Sequence, residues 1–408
     1  MAQTLPRLRT NLDFMPSPIQ ERPGLLIRDS FRYSDATLII PPLLAECLTL
    51  FDGFHTELDL RQMLVELTGD LRVGEVGKRL LESLESAGFL EGPRYEELKQ
   101  QRQDAFRNAP KRLPAHAGSA YPEKPDDLRE TLRAYMNDSG AGVDSAPLVG
   151  IAAPHVSFAG GWPSYRAAYR LLGAEYCDRT FVILGTSHYG EPESFGLTRK
   201  SFVTPFGEAA TDVDLVNELE RSGGPAVKVE DYCHAIEHSI EFQLVFLQYL
   251  YAPDIRILPV LCGPYSRSLS EGIKPEEEER VRQFLDALRA IAEREGSRLF
   301  WILGVDMAHM GRRYGDPFAA RADVGEMASV AVRDRSRIER ILEGDADGFW
   351  SLVQQHGDEL KWCGAAPFYT FLKAVPSARG RLEDYQQWNI DEQSAVSFGA
   401  LAFTSTGL

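Results

Sequence analysis

Continuous apolar runs recur through the last two-thirds of the chain, at Leu148–Ala152, Thr180–Leu184, Ile255–Leu261, Leu299–Val305 and Ala395–Phe403. A strand buried on both faces carries such a run, because neither side of its pleat meets water. Between the runs the apolar residues fall three and four apart, which predicts helices over 163–172, 212–222, 234–250, 276–295, 318–332, 335–343, 346–356 and 365–374. The alternation defines an α/β domain with layers of helices about a mostly buried sheet. Strand order is not fixed by this spacing.

The first ninety or so residues read differently. A Pro-rich irregular stretch over 1–23 precedes two short strands, Leu25–Asp29 and Phe31–Asp35, about a turn. One helix is expected from Pro41-Pro42 to Phe51, a second from Thr56, and a third from Val73 that ends at Gly88 as a C-cap. From Gly92 to Pro114 the chain is charged and poor in aliphatic residues, with a solvated helix expected from Arg94 to Arg107. These shifts divide the chain into a front module (1–92), a linker (93–112) and a main α/β domain (113–408).

The net charge of −16 leaves no excess of Lys and Arg for phosphate, so no nucleic-acid partner and no anionic membrane surface is expected. The five cysteines are odd in number and show no Cys-x-x-Cys spacing, which argues against a disulfide framework and a zinc knuckle. No stretch approaches the roughly 20 apolar residues of a membrane helix. A cytoplasmic location is expected.

Histidines gather where strands end. Val149-Gly-Ile-Ala-Ala-Pro-His155, Thr180-Phe-Val-Ile-Leu-Gly-Thr-Ser-His188 and Leu299-Phe-Trp-Ile-Leu-Gly-Val-Asp306-Met-Ala-His309 each run from an apolar strand into an imidazole. Ligand sites of α/β sheets form beyond the carboxyl ends of strands, and imidazole is both the commonest metal ligand and the best general base near pH 7. One such histidine is more often structural; three at corresponding positions point to a site. A second cluster, Asp231-Tyr-Cys-His234-Ala-Ile-Glu237-His238-Ser-Ile-Glu241, places His234, His238 and Glu241 near one face of the expected helix, with Asp231 as its N-cap. Its His-x-x-Glu-His spacing also matches the inverted zincin peptidases, in which both imidazoles hold zinc and Glu237 activates water, but that reading leaves the strand-end histidines without a role. Cys363 precedes a helix, a position where a thiol can be held as thiolate.

The ordered series HAGSAYP, AAPHVSFAGG, VILGTSHYG, VTPFGE, DYCHAIEHSIEFQLVFLQ, LGVDMAHMGRRY and WCGAAP, spread over residues 110–405, resembles the Memo family, including the AmmeMemoRadiSam system protein B members. The resemblance implies a fold similar to class III extradiol dioxygenases, with a cleft at the strand ends. It implies His155, His188 and Cys363 as metal ligands, Asp306 and His309 as the catalytic polar pair, with His309 oriented by Asp306, and the cluster of Asp231, His234, Glu237, His238 and Glu241 as the cleft wall. Two imidazoles and a thiolate suit iron(II) or copper, and the family name implies a radical-SAM enzyme as partner. The sequence departs from the family pattern at Ala120, at Phe158 and at Tyr189, which alters the shape and polarity of the cleft. The front module resembles PqqD-like winged-helix domains, which implies a peptide added along a strand edge at Leu25–Ile27 or Phe31–Tyr33. The function class open at this point is a metal-dependent, dioxygenase-like redox protein, with a peptide- or metal-binding adaptor as the alternative.

Overall fold

The computed structural model describes residues 3–136 and 147–405, which form two compact units, Met1–Ala109 and Pro110–Leu408. In the first unit three antiparallel strands, β1 (Leu12–Pro16), β2 (Leu25–Asp29) and β3 (Thr37–Ile40), pair in the order β1-β2-β3. Helices Glu57–Thr68, Gly74–Ser86 and Pro93–Asn108 follow. Thr56 and Asp59 close a reciprocal capping box at the first of these, and Gly88 turns the chain out of the second at φ 69°. Ile27, Leu60, Leu64, Leu84 and Phe89 fill the core between sheet and helices.

The structure differs from the expectations for this unit at four places. Phe31–Asp35 is not a strand: the Asp29 carboxylate accepts the backbone N–H groups of Phe31 and Ser34, Arg32 takes φ 51°, and pairing resumes only at Thr37. The stretch read as irregular holds β1, and Pro42 opens only a short helical turn that tightens into a 3-10 helix at Glu46–Leu50. Helix Pro93–Asn108 packs within the first unit, with the Tyr95 ring 4.1 Å from the Arg9 guanidinium, and the division between units falls at Ala109–Pro110. Because β2 is the central strand, an added peptide strand could pair only along β1 or β3.

The second unit is built on a sheet whose core strands are β4 (Leu148–Ala153), β5 (Thr180–Thr186), β6 (Arg256–Cys262) and β7 (Leu299–Gly304), all parallel. A long hairpin, β8 (Ala378–Asp391) and β9 (Ser394–Ser405), joins antiparallel through β9 to β4. The spatial order β9-β4-β7-β5-β6 inserts the last of the parallel strands between the first two. Alternate residues feed opposite layers: Val182, Leu184, Trp301 and Leu303 face one helical layer, Phe181, Ile183, Phe300 and Ile302 the other. Burial on both faces is why these strands read as unbroken apolar runs.

Several elements escaped the sequence pattern. β8 is largely polar and only partly buried, so no apolar run announces it. The short strands at Phe195–Leu197, Ser201–Thr204 and Gly207–Thr211 likewise lacked a signal. One helix, Glu326–Leu342, replaces the two expected over 318–343, and Asp334, in the gap between those two ranges, is buried within it and hydrogen-bonded to Trp362, Tyr385 and Ser397. The single helix expected over 234–250 is two segments, Cys233–Ile236 and Ser239–Tyr251, because Glu237 leaves helical geometry at ψ 141°.

Candidate metal centre

The strand order explains the convergence of the site. With β7 between β4 and β5, Ala153, Gly304 and Gly185 stand side by side in register, and the chain beyond them supplies His155, Asp306 and His188 from adjacent strand ends. Gly185 and Gly304 leave room for a fourth contributor. A Cβ on them would lie 2.5 Å from Ser239 Oγ and 2.2 Å from Ser239 O, so their lack of one lets helix Ser239–Tyr251 begin directly over the strand ends and carry His238 there. Gly364 plays the same part for the cysteine: its Cβ would lie 2.6 Å from Asp306 O, and it donates its N–H to that carbonyl at 3.0 Å.

His155 is buried, and its Nδ1 lies 2.9 Å from Gly304 O, an atom that can only accept. Nδ1 therefore carries a proton and donates to that carbonyl in either charge state, and Nε2 faces the site, 3.3 Å from Cys363 Sγ and 3.5 Å from Asp306 Oδ2. Asp306 Oδ1 accepts the His155 backbone N–H at 2.9 Å. Burial pushes the imidazole pKa down, but Asp306 and then Cys363 outweigh it and raise it to about 9.

Glu237 organises the other two imidazoles. Its carboxylate lies 3.1 Å from Nδ1 of His188 and 3.1 Å from Nδ1 of His238, and it accepts the backbone N–H groups of both residues at 2.8 Å. Both rings thus turn Nε2 outward, and they stack with centroids 4.9 Å apart. The carboxyl is held well below its ordinary range despite burial, chiefly by His188. His238 stays neutral near pH 7, burial pushing it to about 4 against the pull of Glu237. A carboxylate behind a metal-binding imidazole fixes tautomer and ring orientation.

One donor atom each from His155, His188 and His238 lies within 4.8 Å of the others. Two nitrogens on one ion at about 2.1 Å can stand no more than about 4.2 Å apart, so closure needs only small ring movements. Cys363 adds its sulfur beside His155. Burial raises the thiol pKa, yet His155 and His309 more than compensate and pull it to about 5, so it is a thiolate at neutral pH. The donor set of three imidazoles and a thiolate fits a borderline to soft transition metal.

Two loops are tied together behind these donors. Asp334, fully buried, accepts Trp362 Nε1–H at 2.7 Å, Tyr385 O–H at 2.8 Å and Ser397 O–H at 2.6 Å. Ser397 Oγ in turn accepts the Ala308 N–H at 2.8 Å, and its carbonyl accepts the Met307 N–H at 2.8 Å. One carboxylate thereby joins the loop ending in Cys363 to the loop ending in His309.

Other expected residues have different places. His309 is oriented not by Asp306 but by Met307 O, 3.0 Å from its Nδ1, and by the Tyr314 ring, because Asp306 is committed to His155. His234 lies outside the centre with Nε2 3.0 Å from Gly196 O, and the helix break at Glu237 separates it from His238. That geometry rules out the inverted zincin pairing. Asp231 is not the N-cap, which is Tyr232, but its carboxylate accepts the Cys233 N–H at 2.9 Å. Glu241 is fully buried and anchors the segment 112–121: it is ion-paired with Arg112, accepts the Tyr121 hydroxyl, and takes the N–H groups of Ala115 and His116 at 2.9 and 3.0 Å. Arg112 donates further to His234 O and Glu237 O, both at 2.8 Å. Glu241→Gln is expected to cost about 3 kcal/mol, since it strands a buried guanidinium. Chemical denaturation measures this, and an unchanged midpoint would show that the two carbonyls satisfy Arg112 alone.

Imidazoles and a cysteine converge at the strand ends of an α/β sheet, in a fold of the extradiol dioxygenase type. The chain belongs to the Memo family: residues 112–402 match the Memo-like protein family. A MEMO1 family protein of Aquifex aeolicus is 26% identical over 383 residues, covering 93% of this chain and 95% of its own. That span is too long for the second unit alone, so it includes part of the first. MEMO1 family proteins of Methanopyrus kandleri (28% over 307 residues, 72% of this chain and 98% of theirs) and Thermococcus kodakarensis (29% over 259 residues, 62% and 83%) are also similar.

In the Memo-like reading His238 entered as cleft wall, and as a donor only in the inverted zincin alternative that the structure excludes. The signal was present in His-x-x-Glu-His, but its meaning is that Glu237 serves the histidines on either side of it in space, His188 and His238. Asp334 and Ser397 carried no signal, because their partners are remote in sequence.

Proposed function

We propose that this protein is a metal-dependent redox protein whose ion, iron(II) or copper, is held by His155, His188 and Cys363 with His238 as a further donor. The observation that carries this reading is Glu237, one buried carboxylate that presets two neighbouring imidazoles with their free nitrogens turned to the space that His155 and Cys363 also face. Such an ion supplies one-electron chemistry when bound. His309, with Nδ1 committed to Met307 O, keeps Nε2 free and serves as the proton carrier, while Asp306 steadies His155. The reaction is dioxygenase-like, on a substrate for which a radical-SAM enzyme is the implied working partner.

Metal analysis of anaerobically purified protein, with oxygen uptake, tests this. Iron or copper near one ion per chain is expected, falling at least about tenfold in Cys363→Ser because the soft donor is lost. Equal metal content in the variant would remove Cys363 from the donor set. An ion-loaded protein that consumes no oxygen with any substrate offered would reduce the function to metal or peptide binding.

A further inference from the structure

A cavity of about 340 Å³ opens at the amino ends of β4 and β7, the opposite end of the sheet from the histidines. That volume suits a small molecule. Its walls are apolar, built from Val149, Leu299, Ala292 and Val375 around the Trp301 indole. Trp301 takes this place because its partner in register on β4 is Gly150, where a Cβ would lie 2.7 Å from Trp301 Cβ. The glycine leaves that face of the sheet to the indole.

Trp301 is 3% exposed, yet among the described residues its Nε1–H has no acceptor, and the surface it keeps is turned to this cavity. Buried indole N–H groups are ordinarily paired. The other two tryptophans as deeply buried obey that rule: Trp350 Nε1 donates to Ile273 O at 2.9 Å and Trp362 Nε1 to Asp334 at 2.7 Å. Two helices end at the cavity, Glu279–Glu295 through its C-cap Gly296 and Ala365–Ala374 through its C-cap Val375, so the negative ends of both dipoles lie here beside the Glu293 carboxylate. Among the described residues no Lys, Arg or His lines the cavity. The cations that flank the lining are engaged: Arg294 with Glu218 at 2.5 Å, Arg298 with Glu295 at 2.9 Å, Lys373 with Glu276 at 2.8 Å, and Arg379 with the Pro376 carbonyl at 3.1 Å. An anion would therefore be buried without a partner, which is costly, and an ammonium group would have nothing with which to accept the indole proton.

We propose that this cavity binds a neutral, largely apolar carbonyl compound, whose oxygen accepts the Trp301 Nε1–H while its body lies against Val149, Leu299 and Val375. A carbonyl is the neutral group that accepts without bringing a donor of its own. The site is a second one, apart from the histidines and Cys363, and it does not rest on the metal reading.

The test uses the full chain and three probes in equilibrium dialysis: benzophenone, diphenylmethane, which lacks the carbonyl, and 4-benzoylbenzoate, which adds an anion. Benzophenone should saturate one site and, on irradiation, attach to peptides holding residues 292–301 or 374–377. The carboxylate probe should bind at least about tenfold more weakly, the effect of burying an unpartnered charge. In Trp301→Phe, which keeps a ring and removes the N–H, the ratio of benzophenone to diphenylmethane affinity should fall about fivefold, the effect of one lost hydrogen bond. Ala292→Leu, which narrows the cavity from the side of helix Glu279–Glu295, should weaken both neutral probes at least about tenfold. Far-UV circular dichroism checks that each variant folds, and if Trp301→Phe does not, Ala292→Leu and the labelled peptides decide the matter. Unsaturable binding, labelling confined to other peptides, an unchanged ratio in folded Trp301→Phe, or equal affinity for the carboxylate would overturn the proposal. Absence of metal from the purified protein would sink the redox reading and leave these measurements untouched.

Discussion

Glu237→Gln is expected to lower metal content by about ten- to a hundredfold, the usual effect of removing a group that orients a metal-bound histidine. The carboxylate accepts from two ring nitrogens, those of His188 and His238, and from the backbone N–H groups of His188, His238 and Ser239. A glutamine amide of the same shape offers one oxygen and turns an NH2 group toward donors it cannot accept from. At least one imidazole then loses its acceptor, shifts its proton to the other nitrogen and withdraws a lone pair from the ion. Metal quantified after dialysis, with circular dichroism as a check on folding, reads the result. Full metal content in a folded Glu237→Gln protein would mean that the rings are set by packing against His155 and Phe242 instead.

Alkylation of Cys363 by iodoacetamide in metal-free protein should rise through pH about 5 rather than about 9, the ordinary position of a thiol. The thiolate is the reactive form, so a lowered pKa extends reactivity downward in pH while modestly reducing the rate per thiolate. The sign follows for stability as well. A folded-state pKa below the unfolded value favours the fold fully above pH 9, and that contribution disappears as pH falls through about 5. Cys47, Cys233 and Cys262 are buried thiols raised by burial, so they stay silent across this range, and peptide mapping separates Cys363 from exposed Cys177. A Cys363 profile that rises near pH 9 would show that His155 does not stabilise the thiolate.

The fold was legible where burial is two-sided. β4, β5, β6 and β7 announced themselves because both faces of each are packed, whereas polar β8 pairs its whole length with β9 and left no apolar trace. Site residues were legible where they end such strands: His155, His188 and Asp306 lie together because the strand order puts their strands side by side, an order that periodicity does not contain. The break at Glu237 was invisible because His234, His238 and Glu241 satisfy helical spacing equally well. What stops the helix is tertiary, the pull of two imidazoles and three amide groups on one carboxylate. That competition reassigns His238 from a helix face shared with His234 to the ring cluster of His155 and His188.

The Asp334 tie makes the two loops one lever. Trp362 precedes Cys363, its indole N–H is fixed to Asp334, and Asp334 reaches through Ser397 to the amides of Met307 and Ala308, beside His309. One buried carboxylate therefore holds the backbone on both sides of Cys363, so neither loop can shift without straining the hydrogen bonds of the other.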